Sequence, residues 1–403
     1  MSSPAAGVSS LWTPDFIRVT VMDLAYFLAA GILIYALPLY AVGPVGADER
    51  GAGVAFGAFT ITALLLRPYA GRLTDRLGRR PLMVAGALLA AALTLCFLLT
   101  SSIAAVIAVR LASGVAEAAF FVAGFAMLAD LAPQGRQGEA LSLNSIALYL
   151  GIALGPIAAE RLIDLSGFAA AFWAAGLLCL VAAALAWMTT EPPREDDGPG
   201  TGGLGAAPAQ LIHRRTLAPS VGFIGGLLAS SGFMAFCSIR AGEVGTATPS
   251  LVLMTYGATV IGVRLTLATI ADRVPALRVL AAGLAVLCSG ALVAALAGGP
   301  ALLVAAAAVI GLGVGLLTPA FFATVFADVA PSQRGAAAGT ASMAIDLGLG
   351  IGPILLGLVA APLGIPAAFV VGAAAAGLGA VWTVGLMARR AAAVGRLPAG
   401  SAD

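Results

Sequence analysis

The chain contains no lysine, one histidine and four cysteines, and only 10% of its 403 residues are charged. An ordinary soluble domain carries about 25% charged residues, so a water-facing surface cannot be assembled from this composition. The single histidine, His213, falls in a polar stretch, which excludes a histidine proton relay or Ser/His catalysis inside the apolar segments. Cys96, Cys179, Cys237 and Cys288 each stand alone in an apolar run, without CxxC spacing or neighbouring His and acidic residues. Neither a disulfide framework nor a metal site is indicated, and no cofactor is expected. A net charge of +2 without a basic run gives no reason to invoke nucleic acid.

What is present is hydrophobic residues at 61%, with 51 glycines. They fall into stretches of about 20 residues, enough to cross a hydrocarbon core of about 30 Å as helix. No period-2 pattern of a transmembrane barrel is found, and helices are the other way to satisfy every backbone group in lipid. The stretches predict helices at 16–40, 52–70, 82–100, 103–128, 139–162 and 168–189, then at 217–239, 249–270, 277–297, 301–327, 336–359 and 364–388. The segment EPPREDDGPGTGGLGAAPAQLIHRRT, rich in Pro, Gly and charge, separates the two sets. The organisation expected is a six-helix half over 1–190, a linker over 191–216, a second half over 217–390 and a tail over 391–403. Fifteen of the 21 arginines lie on the side of both termini and the linker, three on the other (Arg50, Arg161, Arg240) and three within helices (Arg67, Arg110, Arg264). The positive-inside rule places both termini and the linker in the cytoplasm. The all-arginine basic set fits GC-rich coding and a bacterial cytoplasmic membrane.

The halves repeat. Arg67, Asp75 and Arg76 match Arg264, Asp272 and Arg273 at an offset of 197, LADLAPQGR from Leu128 aligns with FADVAPSQR from Phe326, and the GPI at Gly155 aligns with that at Gly352. Matched residues fall on the same membrane side, so the repeat is parallel. Between the second and third helices stands GRLTDRLGRRP, Gly71 to Pro81. This segment resembles the signature loop of the major facilitator superfamily. The two glycines, Gly71 and Gly78, would permit a tight turn, Asp75 could accept from backbone N–H groups of a helix N-terminus, and Arg76 and Arg79 could meet carboxylates. The resemblance implies a conformational clamp with Asp130 as acidic partner, echoed more weakly by Asp272 and Arg273 with Asp328.

In the fourth helix RLASGVAEA resembles the superfamily's R-x-x-x-G element, with Arg110 and Gly114 on its positions and Glu117 where a small residue is usual. Arg110 and Glu117 are seven apart, on one helix face. An arginine in lipid is costly unless it faces the bundle interior in company, with Glu117, Asp23 or Asp346 as partner. GIALGPIAA, carrying Gly151, Gly155 and Pro156, resembles the G-x-x-x-G-P element of drug-efflux antiporters, with Ala158 and Ala159 in place of the usual Gly–Gly. Gly348, Gly352 and Pro353 form a second copy. Both readings stay open for these glycines: small-residue packing, or a coupling element.

Asp346, near the middle of the eleventh helix, has Tyr149 as its repeat mate, and Asp23 lies in the first helix near Tyr26. Each acid is either a proton carrier or substrate ligand, or one end of a structural helix-to-helix hydrogen bond. Tyr26, Tyr35, Phe120, Phe121, Phe125 and Tyr149 are candidate substrate contacts and equally good packing residues. The resemblance as a whole implies an all-α integral membrane protein of twelve helices, in two pseudo-symmetric halves around a central cavity. It would act as a monomer whose partners are protons, a small-molecule substrate and the bilayer. Proton-coupled export of small, moderately hydrophobic compounds is the expected activity, with proton-coupled uptake of a polar metabolite as the alternative. The lack of a sizeable soluble domain and of a metal or histidine cluster argues against a membrane-embedded enzyme or receptor.

Overall fold

The computed structural model describes residues 11–133, 136–191, 213–266, 274–327, 329 and 334–394, and among them every regular element is helical. The first four helices are α1 (Pro14–Val42), α2 (Glu49–Leu77), α3 (Arg79–Cys96, with a 3-10 turn Phe97–Leu99) and α4 (Ile103–Leu131). The 52-residue segment Gln137–Met188 is two helices, α5 and α6, divided at Gly167, whose φ of 75° no helix interior adopts. Then follow α7 (Arg214–Glu243), α8 (Ser250–Thr266), α9 (Ala276–Ala295), α10 (Pro300–Phe326), α11 (Arg334–Leu363) and α12 (Ile365–Val394). Ten segments have the length and apolarity to cross a membrane. One of these, Leu143–Trp187, is 45 residues long and serves two crossings, and Ser250–Thr266 is a shorter apolar helix, so the chain has twelve spans.

Most helices run a turn beyond the apolar stretches that predict them, because polar capping groups continue the backbone ladder outside the hydrocarbon. Thr13 Oγ1 accepts from the Phe16 N–H ahead of Pro14, and Ser102 Oγ accepts from Ala105 N–H. Single glycines separate α2 from α3 (Gly78, φ 104°) and α11 from α12 (Gly364, φ 83°), in backbone conformations that a β-carbon would strain. Exposed side chains are apolar on the outer faces, among them Leu65, Leu177, Leu378 and Val381, an arrangement suited to lipid contact.

The chain forms two compact units, one of residues 1–46 and 58–196, the other of 47–57 and 197–403. In the first, α1 packs mainly on α5, and α3 on α4 and α6. The second repeats these pairings six helices later, with α7 on α11 and α9 on α10 and α12. A stacked ring pair ties the first helix to the fourth in each unit: Tyr26 on Phe120 at 3.9 Å between centroids, and Phe223 on Phe321 at 3.8 Å. Tyr26 and Phe223 are repeat mates at the offset of 197.

The G-x-x-x-G-P segments occupy equivalent contacts. A β-carbon on Gly155 would come within 2.5 Å of the Gly31 backbone, and one on Gly151 within 2.6 Å of Leu28 N. Gly348 and Gly352 similarly admit Leu227, Leu228 and Ser231 of α7, and Ser231 Oγ donates to Gly348 O at 3.0 Å. Both pairs of glycines therefore bring the fifth helix of a unit against its first, with Pro156 and Pro353 following inside the helix. Gly71 differs from its expected role. It lies within α2 rather than in a turn, with open space around it, and the reversal is made by Gly78 alone. Gly155→Leu is expected to force α1 and α5 apart, lowering stability by about 1–3 kcal/mol. Gly71→Ala should leave stability unchanged or slightly raised. Thermal unfolding of both variants in detergent checks this, and equal effects would contradict it.

Candidate functional site

The membrane-spanning part of the first unit holds a group of polar side chains on α1, α4 and α5. Asp23 is buried in α1 and accepts a hydrogen bond of 2.6 Å at Oδ2 from Asn144 Nδ2 of α5. One turn along α1, the Tyr26 hydroxyl donates to Glu117 Oε2 of α4 at 2.9 Å while its ring lies flat on Phe120. Stacking and hydrogen bonding fix the Tyr26 rotamer from two directions, so Glu117 is held on a rigid donor. Arg67 and Arg110 supply the positive charge acting on Glu117. The Arg110 guanidinium also lies over the Phe59 ring, 4.2 Å from its centroid, and that of Arg67 over Phe121 at 4.9 Å. Gly114 makes the first of these contacts possible. It is one turn from Arg110, and a β-carbon there would strike the Phe59 carbonyl and come within 2.8 Å of Ala63 N, so its absence lets α2 approach α4.

The other candidate contacts spread outward. Phe121 packs on Phe27 and on Phe125, which is exposed. Tyr35 is buried nine residues beyond Tyr26, roughly 13 Å along the helix axis, and Tyr149 is half-buried on α5. Asp346 is buried in α11, in the second unit, where Ser230 and Tyr256 share a buried hydroxyl contact of 3.1 Å. The first-unit group has no counterpart there. At the offset of 197, Asp23, Tyr26 and Asn144 correspond to Ser220, Phe223 and Ala341.

At the end of α2 the loop arginine meets its acid: Arg79 Nε lies 2.9 Å from Asp130 Oδ2 of α4, an ion pair by distance rather than an aligned hydrogen bond. Asp75 and Arg76 are exposed. The N-terminus of α3 is capped by Glu191, whose Oε1 and Oε2 accept from the backbone N–H groups of Arg79 and Arg80, both at 2.8 Å. The end of α6 is strapped further by the Arg80 guanidinium over Trp187 and by Arg18 Nη1 on the Met188 carbonyl. Asp272, Arg273 and Asp328 lie outside the described residues.

A model of the Major Facilitator Superfamily matches residues 19–250 and 223–401. The chain belongs to that superfamily. An uncharacterized MFS-type transporter of Pseudomonas aeruginosa is 29% identical over 356 residues, covering 86% of this chain and 87% of its relative. A Burkholderia mallei transporter of the same description is 27% identical over 410 residues, covering 97% and 96%. Among solved structures, a mutant of the nucleoside transporter NupG matches with a TM-score of 0.75 at 16% identity, over 93% of this chain and 99% of that one. A bacterial homolog of the human lysosomal transporter Spinster matches at 0.74 with 15% identity, over 96% and 98%. These structural likenesses establish the fold. Together with the family match they identify a multi-pass membrane protein of transporter type.

Within the superfamily frame, three residues stand out that sequence reading did not single out. Asn144 is the chain's only asparagine, and that rarity inside an apolar run was the available signal. Glu191 was assigned to the linker, although an acid is well placed wherever a helix N-terminus lies nearby. Phe59 carried no signal, since nothing in its apolar surroundings marks the ring under Arg110. His213 also differs from a linker residue. It is the buried N-cap of α7, with its N–H on Thr340 Oγ1 at 2.8 Å and Nδ1 2.9 Å from Thr216 Oγ1. Replacing Asn144 with Leu strands the Asp23 carboxylate and is expected to cost about 1–3 kcal/mol of stability. Asp23→Leu with Asn144→Leu should recover much of that loss. Thermal unfolding of the two single variants and the double variant measures the coupling, and strict additivity would contradict the pairing.

Proposed function

We propose that this superfamily member is a proton-coupled secondary transporter that exports small, moderately hydrophobic compounds by alternating access. Its moving parts would be two six-helix halves, 1–190 and 217–390, with the linker 191–216, both termini and the tail 391–403 cytoplasmic, in a bacterial inner membrane, as a monomer. The observation that carries the proposal is the setting of Asp23 and Glu117, two carboxylates among apolar helices that each accept from a neutral donor, Asn144 and Tyr26. A carboxylate locked in a bidentate ion pair must stay charged, whereas one held by an amide or phenol can exchange a proton without losing its anchor. Arg67 and Arg110 beside Glu117 would then bias its charge state as the helices move.

The flanking rings of Phe27, Phe120 and Phe121 offer an apolar wall, which favours hydrophobic over strongly polar substrates. Asp346 is the corresponding acid of the second half and a further candidate for the coupling step. The Arg79–Asp130 pair and the Glu191 cap would serve as the clamp that closes and releases during the cycle, with Asp75, Arg76, Asp272 and Arg273 contributing.

Everted vesicles with an acid lumen test the direction of transport. Fluorescent amphiphilic compounds are expected to accumulate in the lumen of vesicles containing this protein and not in control vesicles. Asp23→Asn, Glu117→Gln and Asp346→Asn then identify the carrier: its variant should lose gradient-driven accumulation while keeping substrate-for-substrate exchange. Normal gradient-driven transport by all three variants would contradict carboxylate coupling. Accumulation only in right-side-out vesicles with an acid exterior would replace export by uptake.

A further inference from the structure

The second unit carries a basic recess that the transport reading does not use. A cavity of about 330 Å³ opens at the ends of α7, α10 and α12, lined by Arg215, Thr324, Val325, Val329 and Arg390. No carboxylate is among the described residues lining it, so two guanidinium groups set the sign of its field. Arg214 and Arg389 stand exposed beside them, and the Arg389 guanidinium lies 5.9 Å from the Trp382 ring centroid.

Trp382 fixes the helices that form the recess. Its Nε1–H donates to the Ala218 carbonyl of α7 at 2.7 Å, so the basic end of α12 is held against the basic start of α7. Leading away from the arginines along the same helices, Leu217 and Val221 on α7 and Val381 on α12 are exposed apolar side chains. An indole between an arginine cluster and an exposed apolar face marks the level where headgroups meet acyl chains. A free phosphate would use the arginines alone. A phospholipid would use both the arginines and the apolar face. Thr324 has its hydroxyl donated to Ala320 O, leaving oxygen lone pairs but no spare proton, so the anion would be held by the guanidinium groups.

We propose that the recess formed by Arg215 and Arg390 binds the phosphate headgroup of an anionic phospholipid, whose acyl chains lie along the exposed faces of α7 and α12. Bidentate guanidinium–phosphate contacts favour an anionic headgroup without a compensating ammonium, such as phosphatidylglycerol, over a zwitterionic one. The site is distinct from the carboxylate group of the first unit and does not depend on the direction of transport.

Native mass spectrometry of the detergent-purified full chain tests this with phosphatidylglycerol and with phosphatidylcholine of the same acyl chains. Phosphatidylglycerol adducts are expected to predominate. They should weaken on the order of twentyfold in Arg215→Gln/Arg390→Gln, and on the order of fivefold in Arg390→Gln alone should the double variant fold poorly. Arg50→Gln should bind as the unaltered chain does. Equal adducts with the two lipids, or phosphatidylglycerol binding unchanged in a folded Arg390→Gln variant, would overturn the proposal. Complete displacement by excess inorganic phosphate would also overturn it, because the recess would then be a site for a soluble anion.

Discussion

The close contact of α1 with α5 is the constraint on which the polar chemistry of the first unit depends. Gly31 meets Gly151 and Gly155 with no room for a β-carbon, and this sets the helix separation along the whole interface. Two turns back from Gly151 and Gly31, the same interface carries Asn144 opposite Asp23, whose 2.6 Å hydrogen bond would be out of reach at a wider spacing. Lipid provides no alternative partner, so the glycines and the polar pair are one arrangement: small residues bring the backbones together, and proximity satisfies the carboxylate. Gly114 does the same for α2 and α4, where removing a side chain lets the Phe59 ring lie beneath Arg110.

The halves share this packing and differ in what it is used for. Fifth-on-first contacts through glycine, and a ring stack between first and fourth helices, occur in both units. Asp23, Tyr26 and Asn144 are replaced in the second by Ser220, Phe223 and Ala341, while Asp346 stands where the first has Tyr149. An internal repeat therefore supplies the scaffold, and substitutions on one copy place the charge. Membership of the superfamily accounts for the scaffold but says nothing of which copy is charged. That difference has to be read from this chain's own residues.

The spans were legible because hydrocarbon imposes a length and composition that few other environments impose, and Gly167 was the break expected between 139–162 and 168–189. The pairing of Arg79 with Asp130 was likewise within reach of the loop motif. Partner choice was not. Glu117 could be placed on the face of Arg110 by helical spacing, but its hydrogen bond comes from Tyr26, on a helix whose rotation no periodicity of apolar residues defines. Glu191 was hidden for a different reason: it follows the last turn of α6, where Pro, Gly and charge read as linker, and only tertiary structure brings it to the N-terminus of α3. Gly71 was misread because a glycine in a loop motif suggests a turn, whereas α2 continues through it to Leu77.

The central claim is that substrate movement is tied to proton movement through carboxylates held in the membrane. Simultaneous recording of both fluxes in proteoliposomes, with a pH-sensitive dye in the lumen and fluorescent amphiphiles as substrates, tests it most directly. The account requires luminal pH to change in step with substrate transfer, in the sense opposite to it, and the pH signal to vanish when Asp23, Glu117 and Asp346 are all replaced by their amides. Substrate transfer with no accompanying pH change in the unaltered protein would contradict it.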